Sequence, residues 1–278
     1  MGLNSDQLDA FFAVAQLASF SRAGEALALS QPALSQRVLK LEEQLAAPVF
    51  VREASGVRLT DLGQRLLVYC RSKRDQEAEF LSSSQGRRLG GVIRIAGFSS
   101  VMRSLIMPRL DALLKAEPSL QLELSTRELH QLPALLKGGQ ADFVVTSQPI
   151  SSAMVESVRL GAEENVLIEA AGGKLHAELK DVYYDHDAED QTTFEFFKLQ
   201  RQRPKAIRRS FTGDVYAIID AVERGWGRAI IPRHLIAGNT KVRVLHGYRP
   251  YLLDIYLNSH VLPFYSTLHQ RLLKALKI

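Results

Sequence analysis

The chain has 278 residues, 46% hydrophobic and 23% charged, which suits two or three well-cored domains and excludes disordered or collagen-like sequence. Its formal net charge of +5 permits a nucleic-acid partner without demanding one. A single cysteine, Cys70, excludes an internal disulfide framework and any cysteine-based zinc cluster, and fits a reducing cytoplasm.

The first amphipathic helix carries Leu8, Phe11, Phe12 and Ala15 on one face. Asp6 and Asp9 sit where a signal peptide would be positively charged, and Gln7 and Gln16 interrupt the apolar run, so no secretory leader is read here. Ser19-Phe20-Ser21 offers a cap for a second helix over 22–27. After a turn at Ala28-Leu29-Ser30, Gln31-Pro32 opens a third helix, proline being favoured where its missing N–H would lack a partner anyway. Leu34, Val38, Leu41 and Leu45 form one apolar stripe, with Ser35, Gln36, Arg37, Lys40 and Glu43 opposite. Pro48 ends the segment.

Val49-Phe50-Val51 and Val57-Arg58-Leu59 flank Glu53-Ala54-Ser55-Gly56 as a small β-hairpin. Thr60-Asp61 caps a long helix whose positions 62, 66, 69, 73, 76 and 80 follow heptad spacing, polar in the middle at Lys73 and Gln76. The small N-terminal block cannot bury that stripe alone, so a partner helix is expected. Cys70 fits packing on this helix better than redox sensing. Residues 82–91, rich in Ser, Gly and Arg, read as a polar hinge.

Beyond the hinge the pattern becomes α/β. Strands over 92–96, 120–124 and 143–146 alternate with helices over 101–115 and 128–137, which implies a parallel sheet with helices on its faces. A second unit has strands over 166–170, 182–184, 207–211, 229–231 and 251–257, with helices over 192–199 and 215–224. An amphipathic helix over 263–276 ends the chain. No run approaches the ~18 consecutive apolar residues of a membrane span.

A short alanine- and leucine-bearing helix, a turn, and a helix opening with Ser-Gln-Pro make a helix-turn-helix pattern. Its second helix must project N-terminal side chains into the ~12 Å major groove. Gln31, Ser35 and Gln36 are suited to bond base edges or phosphates there, and a small helical bundle with a solvated face stays open on periodicity alone. The residues Leu8, Phe11, Ser19-Phe20-Ser21, Ala23, Leu27, Ser30-Gln31-Pro32-Ala33-Leu34-Ser35, Leu41-Glu42, Leu45, Phe50, Arg52, Leu59-Thr60 and Gly63 carry a closer likeness. With them the chain resembles the LysR-type transcriptional regulators. Gly24 stands where that pattern has alanine, and Ala46 where it has glycine. Later landmarks are similar too: Gly91-Val92-Ile93-Arg94-Ile95, Pro118, Gly139, Asp142-Phe143 and Gly225-Trp226-Gly227 with Ile231-Pro232.

The resemblance implies an α/β protein with an all-α-type N-terminal domain. A winged helix-turn-helix domain over 1–59 is followed by a linker and dimerisation helix with hinge over 60–90. A two-lobed, periplasmic-binding-protein-like effector domain then spans 91–278, with lobe 1 at 91–161 and 263–278 and lobe 2 at 162–262. It implies double-stranded DNA with an inverted-repeat operator as partner, a homodimer or homotetramer, and a small-molecule effector between the lobes, with no cofactor. Residues 1–90 hold eleven Lys/Arg against ten Asp/Glu, so net charge does not mark the DNA-binding part. Candidate DNA contacts are Ser30, Gln31, Pro32, Ser35, Gln36, Arg37 and Lys40, with Arg22 and, at the wing, Arg52. Arg22 and Arg37 also read as solvated arginines.

In such a fold small molecules bind where strand ends meet helix starts. Ser99, Ser100, Thr146, Ser147, Asp185, Thr212 and Asp214 are the candidate effector residues, and Ser100, Thr212 and Asp214 read equally as helix caps. The acidic run from Asp185 to Asp190 reads as a solvated loop or a metal site. A third reading comes from Val51-Arg52 and the Asp185-His186 run, which resemble the branch regulating lysine or arginine export. An acidic lobe would then select a basic amino acid. The basic run from Lys198 to Arg209 is expected to be solvated or to face a neighbouring subunit's acidic loop. No Gly-rich phosphate loop, Gly-x-Ser-x-Gly or paired zinc-spaced histidines support catalysis, so no enzyme is expected. The rival reading is a small-molecule-binding protein without DNA function.

Overall fold

The computed structural model describes residues 2–53, 56–84, 91–262 and 265–276. The chain forms two compact units: Met1–Phe98 with Arg109–Val158 and Leu257–Ile278, and Ser99–Pro108 with Arg159–Tyr256.

The first unit begins with α1 (Ser5–Leu17), α2 (Phe20–Ala26) and α3 (Gln31–Leu45). Each starts where a short polar side chain satisfies helix N–H groups: Asn4, Ser19 and Ser30 all accept from the first turn. The stripe read on α3 is buried at Leu34, Val38 and Leu41, against Leu8, Phe11 and Ala23. A hairpin follows, β1 (Phe50–Glu53) and β2 (Gly56–Leu59), with Phe50 opposite Leu59; its turn residues 54 and 55 lie outside the described residues. Phe50 locks it to the helices, its ring centroid 5.2 Å from Phe11 and 5.8 Å from Phe20. The Glu42 carboxylate accepts from the Val49 N–H at 2.7 Å and so ties α3 to the hairpin.

Two residues show local backbone demands. Ala46 closes α3 in the left-handed region, φ 53°, where a Cβ is disfavoured by roughly 1–2 kcal/mol. Ala46→Gly is therefore expected to stabilise the protein by about 1 kcal/mol, seen as a higher urea midpoint with unchanged slope. Gly63 permits close packing: a Cβ there would sit 2.1 Å from the Val49 carbonyl oxygen.

The long helix α4 (Asp61–Ser84) is capped by Thr60, whose hydroxyl accepts from the Gly63 N–H at 3.0 Å and donates to the Pro48 carbonyl at 2.9 Å. Its inner face differs from the heptad reading. Leu66, Leu67 and Cys70 pack into the N-terminal core, while Tyr69 and Phe80 are exposed. Burial pushes the Cys70 thiol up to about 12, as expected of a packing residue. Arg74 bonds Asp9 at 2.7 Å and lies over the Phe12 ring, and Arg71 meets Asp142 at 3.1 Å.

The rest of this unit is a small sheet with helices. β3 (Gly91–Gly97) pairs in parallel with β4 (Leu120–Thr126) and β5 (Phe143–Thr146). Helix α7 (Leu132–Lys137) buries Leu132 and Leu136 against Ala96 and Val144. The predicted single helix over 101–115 is three segments: α5 (Ser99–Val101), a π-helical stretch Met102–Ile106, and α6 (Met107–Ala116). Pro108 gives the reason, since a proline has no N–H for the carbonyl four residues back and crowds it, and a wider turn relieves both.

In the second unit β6 (Val155–Ala170) pairs antiparallel with β9 (Ala229–Pro232) and β10 (Val242–Val244). The parallel pairing expected for the strands over 92–96, 120–124 and 143–146 holds in the first unit, and these antiparallel partners lie outside that expectation. β6 is also far longer than the predicted strand over 166–170, and β10 was missed because three residues carry no periodicity. β7 (Val182–Asp185) pairs in parallel with β8 (Arg208–Phe211). Helices α8 (Thr192–Lys198) and α9 (Val215–Glu223) pack on these strands through Phe196, Phe197, Ile218 and Val222. β11 (Tyr251–His260) leads back to the first unit, where α10 (Thr267–Leu276) buries Leu272 and Leu276.

Candidate DNA-reading surface and effector residues

The N-terminal turns of α3 are built to be displayed. Leu34, Val38 and Leu41 hold the back of the helix in the core, and Ser30, Gln31, Pro32, Gln36 and Lys40 are exposed on the other side. Ser35 and Arg37 are half-buried at its edges. The Ser30 hydroxyl caps the helix by accepting from the Ala33 N–H at 3.4 Å. Two predicted cations already have partners: Arg37 lies 3.6 Å from Asp6, and the Arg22 guanidinium donates to the Leu17 carbonyl. The Arg52 backbone lies in β1, and its side chain falls outside the described residues. Leu39 was missed: it is 53% exposed one turn beyond Ser35. Its signal was available, because it falls outside the 34-38-41-45 stripe, and an exposed apolar group there suits a thymine methyl.

The candidate effector residues fall in both units. In the first, the buried Thr146 hydroxyl accepts from the Asn258 amide at 2.7 Å and donates to the Gln148 carbonyl, and Ser147 is half-buried. In the second, Ser99 and Ser100 open α5, and Ser100 is buried. Asp214 caps α9 by accepting from the Ala217 N–H at 2.9 Å, and the Thr212 hydroxyl donates to the Asp214 carbonyl at 3.1 Å. Asp214 thus performs the capping role that was its alternative reading, and Thr212 braces the turn that precedes it.

Asp185 is 2% exposed and bonded to the Thr193 hydroxyl and the Arg209 guanidinium. Burial pushes its carboxyl pKa upward, and those two bonds pull against it. The acidic run behind it is folded onto itself. Asp187 accepts from the Glu189 and Asp190 N–H groups at 2.7 and 2.9 Å, and Asp190 accepts from the Thr192 N–H at 2.8 Å. Arg209 also donates to the Asp187 carbonyl at 2.9 Å and stands over the Phe194 and Phe211 rings. The basic run thus meets the acidic loop of its own chain through Arg209, correcting the expectation of solvent or a neighbouring subunit for that residue. The distance in sequence between the two runs concealed the pairing.

Glu163 was not foreseen. It is 6% exposed on β6, its Oε1 has no hydrogen-bond partner, and His234 Nε2 stands 3.4 Å away. A signal existed in the parity of the strand, which puts Glu163 on the same face as the buried Leu167. Burial raises its carboxyl to about 7, against the pull of a hydrogen bond from Ser100. A carboxyl raised on folding takes up its proton more readily in the folded state. Its contribution is therefore greatest at low pH and is lost as pH rises from about 4.5 to about 7. Glu163→Gln is expected to gain up to about 3 kcal/mol over wild type at pH 8 and little at pH 4.5, checked by urea denaturation at both pH values.

Comparisons with known proteins agree with this architecture. Residues 5–64 match the family described as bacterial regulatory helix-turn-helix protein, lysR family, and residues 86–277 match the LysR substrate binding domain. The HTH-type transcriptional regulator HdfR of Yersinia enterocolitica is 31% identical over 163 residues, 57% of this chain and 54% of that protein. The chain spans about half the length of the HdfR relatives it matches. The full-length LysR-type regulator LysG of Corynebacterium glutamicum, solved with bound effector Arg, superposes with a TM-score of 0.76 at 23% identity, covering 99% of this chain and 96% of that one. ArgP of Mycobacterium tuberculosis gives a TM-score of 0.80 at 20% identity with the same coverage; at these identities both speak to fold alone. Among the described residues no helix is long and apolar enough to cross a membrane. With both of its domains matched, the chain belongs to the LysR family, whose members are DNA-binding transcriptional regulators with an effector-binding domain and not enzymes.

Proposed function

We propose that this protein is a ligand-responsive transcription regulator of the cytoplasm that binds an inverted-repeat operator in double-stranded DNA as a homodimer or homotetramer. The observation that carries the reading is α3, anchored from behind by Leu34, Val38 and Leu41 with Gln31, Gln36 and Lys40 displayed in front. Ser30, Gln31, Pro32, Ser35, Gln36, Arg37 and Lys40 face the DNA in this reading, and Arg22 and Arg52 add backbone contacts. The exposed Tyr69 and Phe80 on α4 provide the seam for a second chain.

The effector is a small molecule taken at Ser99 and Ser100 of the second unit. A basic amino acid is the class favoured, because the structurally similar LysG was solved with Arg. Such a ligand shifts the regulator only by its differential affinity for two arrangements of the protein. The test is retention of genomic fragments on the purified protein followed by sequencing. Enrichment of a few sites sharing an inverted repeat is expected. Recovery of no site above sheared background would overturn the regulator reading.

A further inference from the structure

Four carboxylates are buried among the described residues: Glu117, Glu163, Glu169 and Asp185. Three have arginines. Glu117 pairs with Arg271, Glu169 with Arg228 at 2.7 Å and Arg243 at 2.6 Å, and Asp185 with Arg209. Glu163 has none. The neighbouring Arg233 is held by Glu164 at 2.8 Å. That pair lines the same cavity as Glu163, with the guanidinium engaged by Glu164.

What does touch Glu163 carries little charge. Ser100 gives it a hydroxyl hydrogen bond. His234 Nε2 stands 3.4 Å from Oε1, and burial lowers that imidazole's pKa. Oε1 remains unbonded beside a cavity lined, besides Glu163, by Glu164, Arg233, His234, Ile236, Ala237 and Val244. A buried ionised carboxylate is stable only with a compensating cation. Among the described residues no arginine or lysine bonds Glu163, so its charge is neutralised either by a proton or by a cation from outside the chain.

We propose that Glu163 recognises the cationic end of the effector, the ammonium of lysine or the guanidinium of arginine. This rests on the effector reading at Ser99 and Ser100 and moves the acidic selector from the Asp185 run to Glu163. A charged N–H group at Oε1 would complete the missing bond, and a charge-assisted bond of this kind is about twice as strong as a neutral one. A neutral isostere of the same length leaves the carboxylate uncompensated.

The test is calorimetry on the full chain with L-arginine and L-lysine, each beside its neutral isostere, L-citrulline and L-2-aminoheptanoate. Wild type is expected to bind one basic amino acid at least tenfold tighter than its isostere. Glu163→Gln, verified as folded by its melting curve, is expected to lose that preference, and Glu163→Asp to keep part of it. No heat from either basic amino acid, or a preference unchanged in Glu163→Gln, overturns the proposal. The underlying reading fails differently. If wild type binds the neutral isosteres equally well and Ser99→Ala abolishes this, the effector site stands and the role of Glu163 falls. If Glu163→Gln loses the preference while Ser99→Ala leaves affinity intact, Glu163 stands and the serine reading falls.

Discussion

Replacing Ser35 and Gln36 together by alanine is expected to lower affinity for the operator by ten- to several-hundredfold while leaving non-specific DNA binding nearly unchanged. The helix itself is held by Leu34, Val38 and Leu41, which the substitutions do not touch, so α3 keeps its place. What is lost are hydrogen bonds to base edges, worth about 1–3 kcal/mol for each well-formed pairing. Because neither side chain is charged, the dependence of affinity on salt should keep its slope. Lys40→Ala should behave in the opposite way, weakening all sequences alike and reducing the slope by about 0.9 if it neutralises one phosphate. A gel-shift series at two salt concentrations separates the outcomes. Unchanged operator binding by the double variant would remove α3 from the reading role.

The second large effect is on stability. Asp185→Ala is expected to destabilise the protein by about 3–5 kcal/mol, because it leaves the largely buried Arg209 without its carboxylate. The β7–β8 pair, which joins Asp185 to Phe211 in register, would lose the cross-link at its end, and the loop from His186 to Asp190 would lose the cation holding its carbonyls. Thermal denaturation with a secondary-structure readout measures this loss. Effector affinity of the fraction still folded should be unchanged. A variant as stable as wild type that no longer binds effector would instead make Asp185 a ligand residue. Glu163 offers the contrast: its replacement by glutamine at pH 8 is expected to stabilise, since a group placed for a ligand is a burden without one.

Much of the N-terminal domain is legible without a structure because its determinants are local. The stripe on α3 arises from residues three and four apart, Ser30 and Thr60 cap the turns they begin, and Pro48 stops the chain where a helix would otherwise run on. The heptad reading of α4 was half right for an equally physical reason. Periodicity reports that a face is apolar, not which partner covers it; the core of the same domain took Leu66 and Cys70, while Tyr69 and Phe80 stayed outside. In the α/β part, strand and helix positions followed from hydrophobic runs, whereas the antiparallel pairing of β6 did not, since direction is set by which strands meet.

By itself the sequence determined the helix-turn-helix, its displayed polar face and the α/β character of the remainder, all products of contacts within a few residues. Only the tertiary structure decided the fate of the buried charges. Asp185 and Arg209 are 24 residues apart and Glu169 and Arg228 are 59 apart, yet each pair meets within hydrogen-bonding distance, while Glu163 meets no arginine or lysine. Compensation of a buried charge depends on separations of a few ångströms through space, which no spacing along the chain records. The mild excess of +5 therefore says little about either proposed site: the proposed DNA reading rests on side chains displayed on α3, and the proposed effector selection on a buried carboxylate that no arginine or lysine bonds among the described residues.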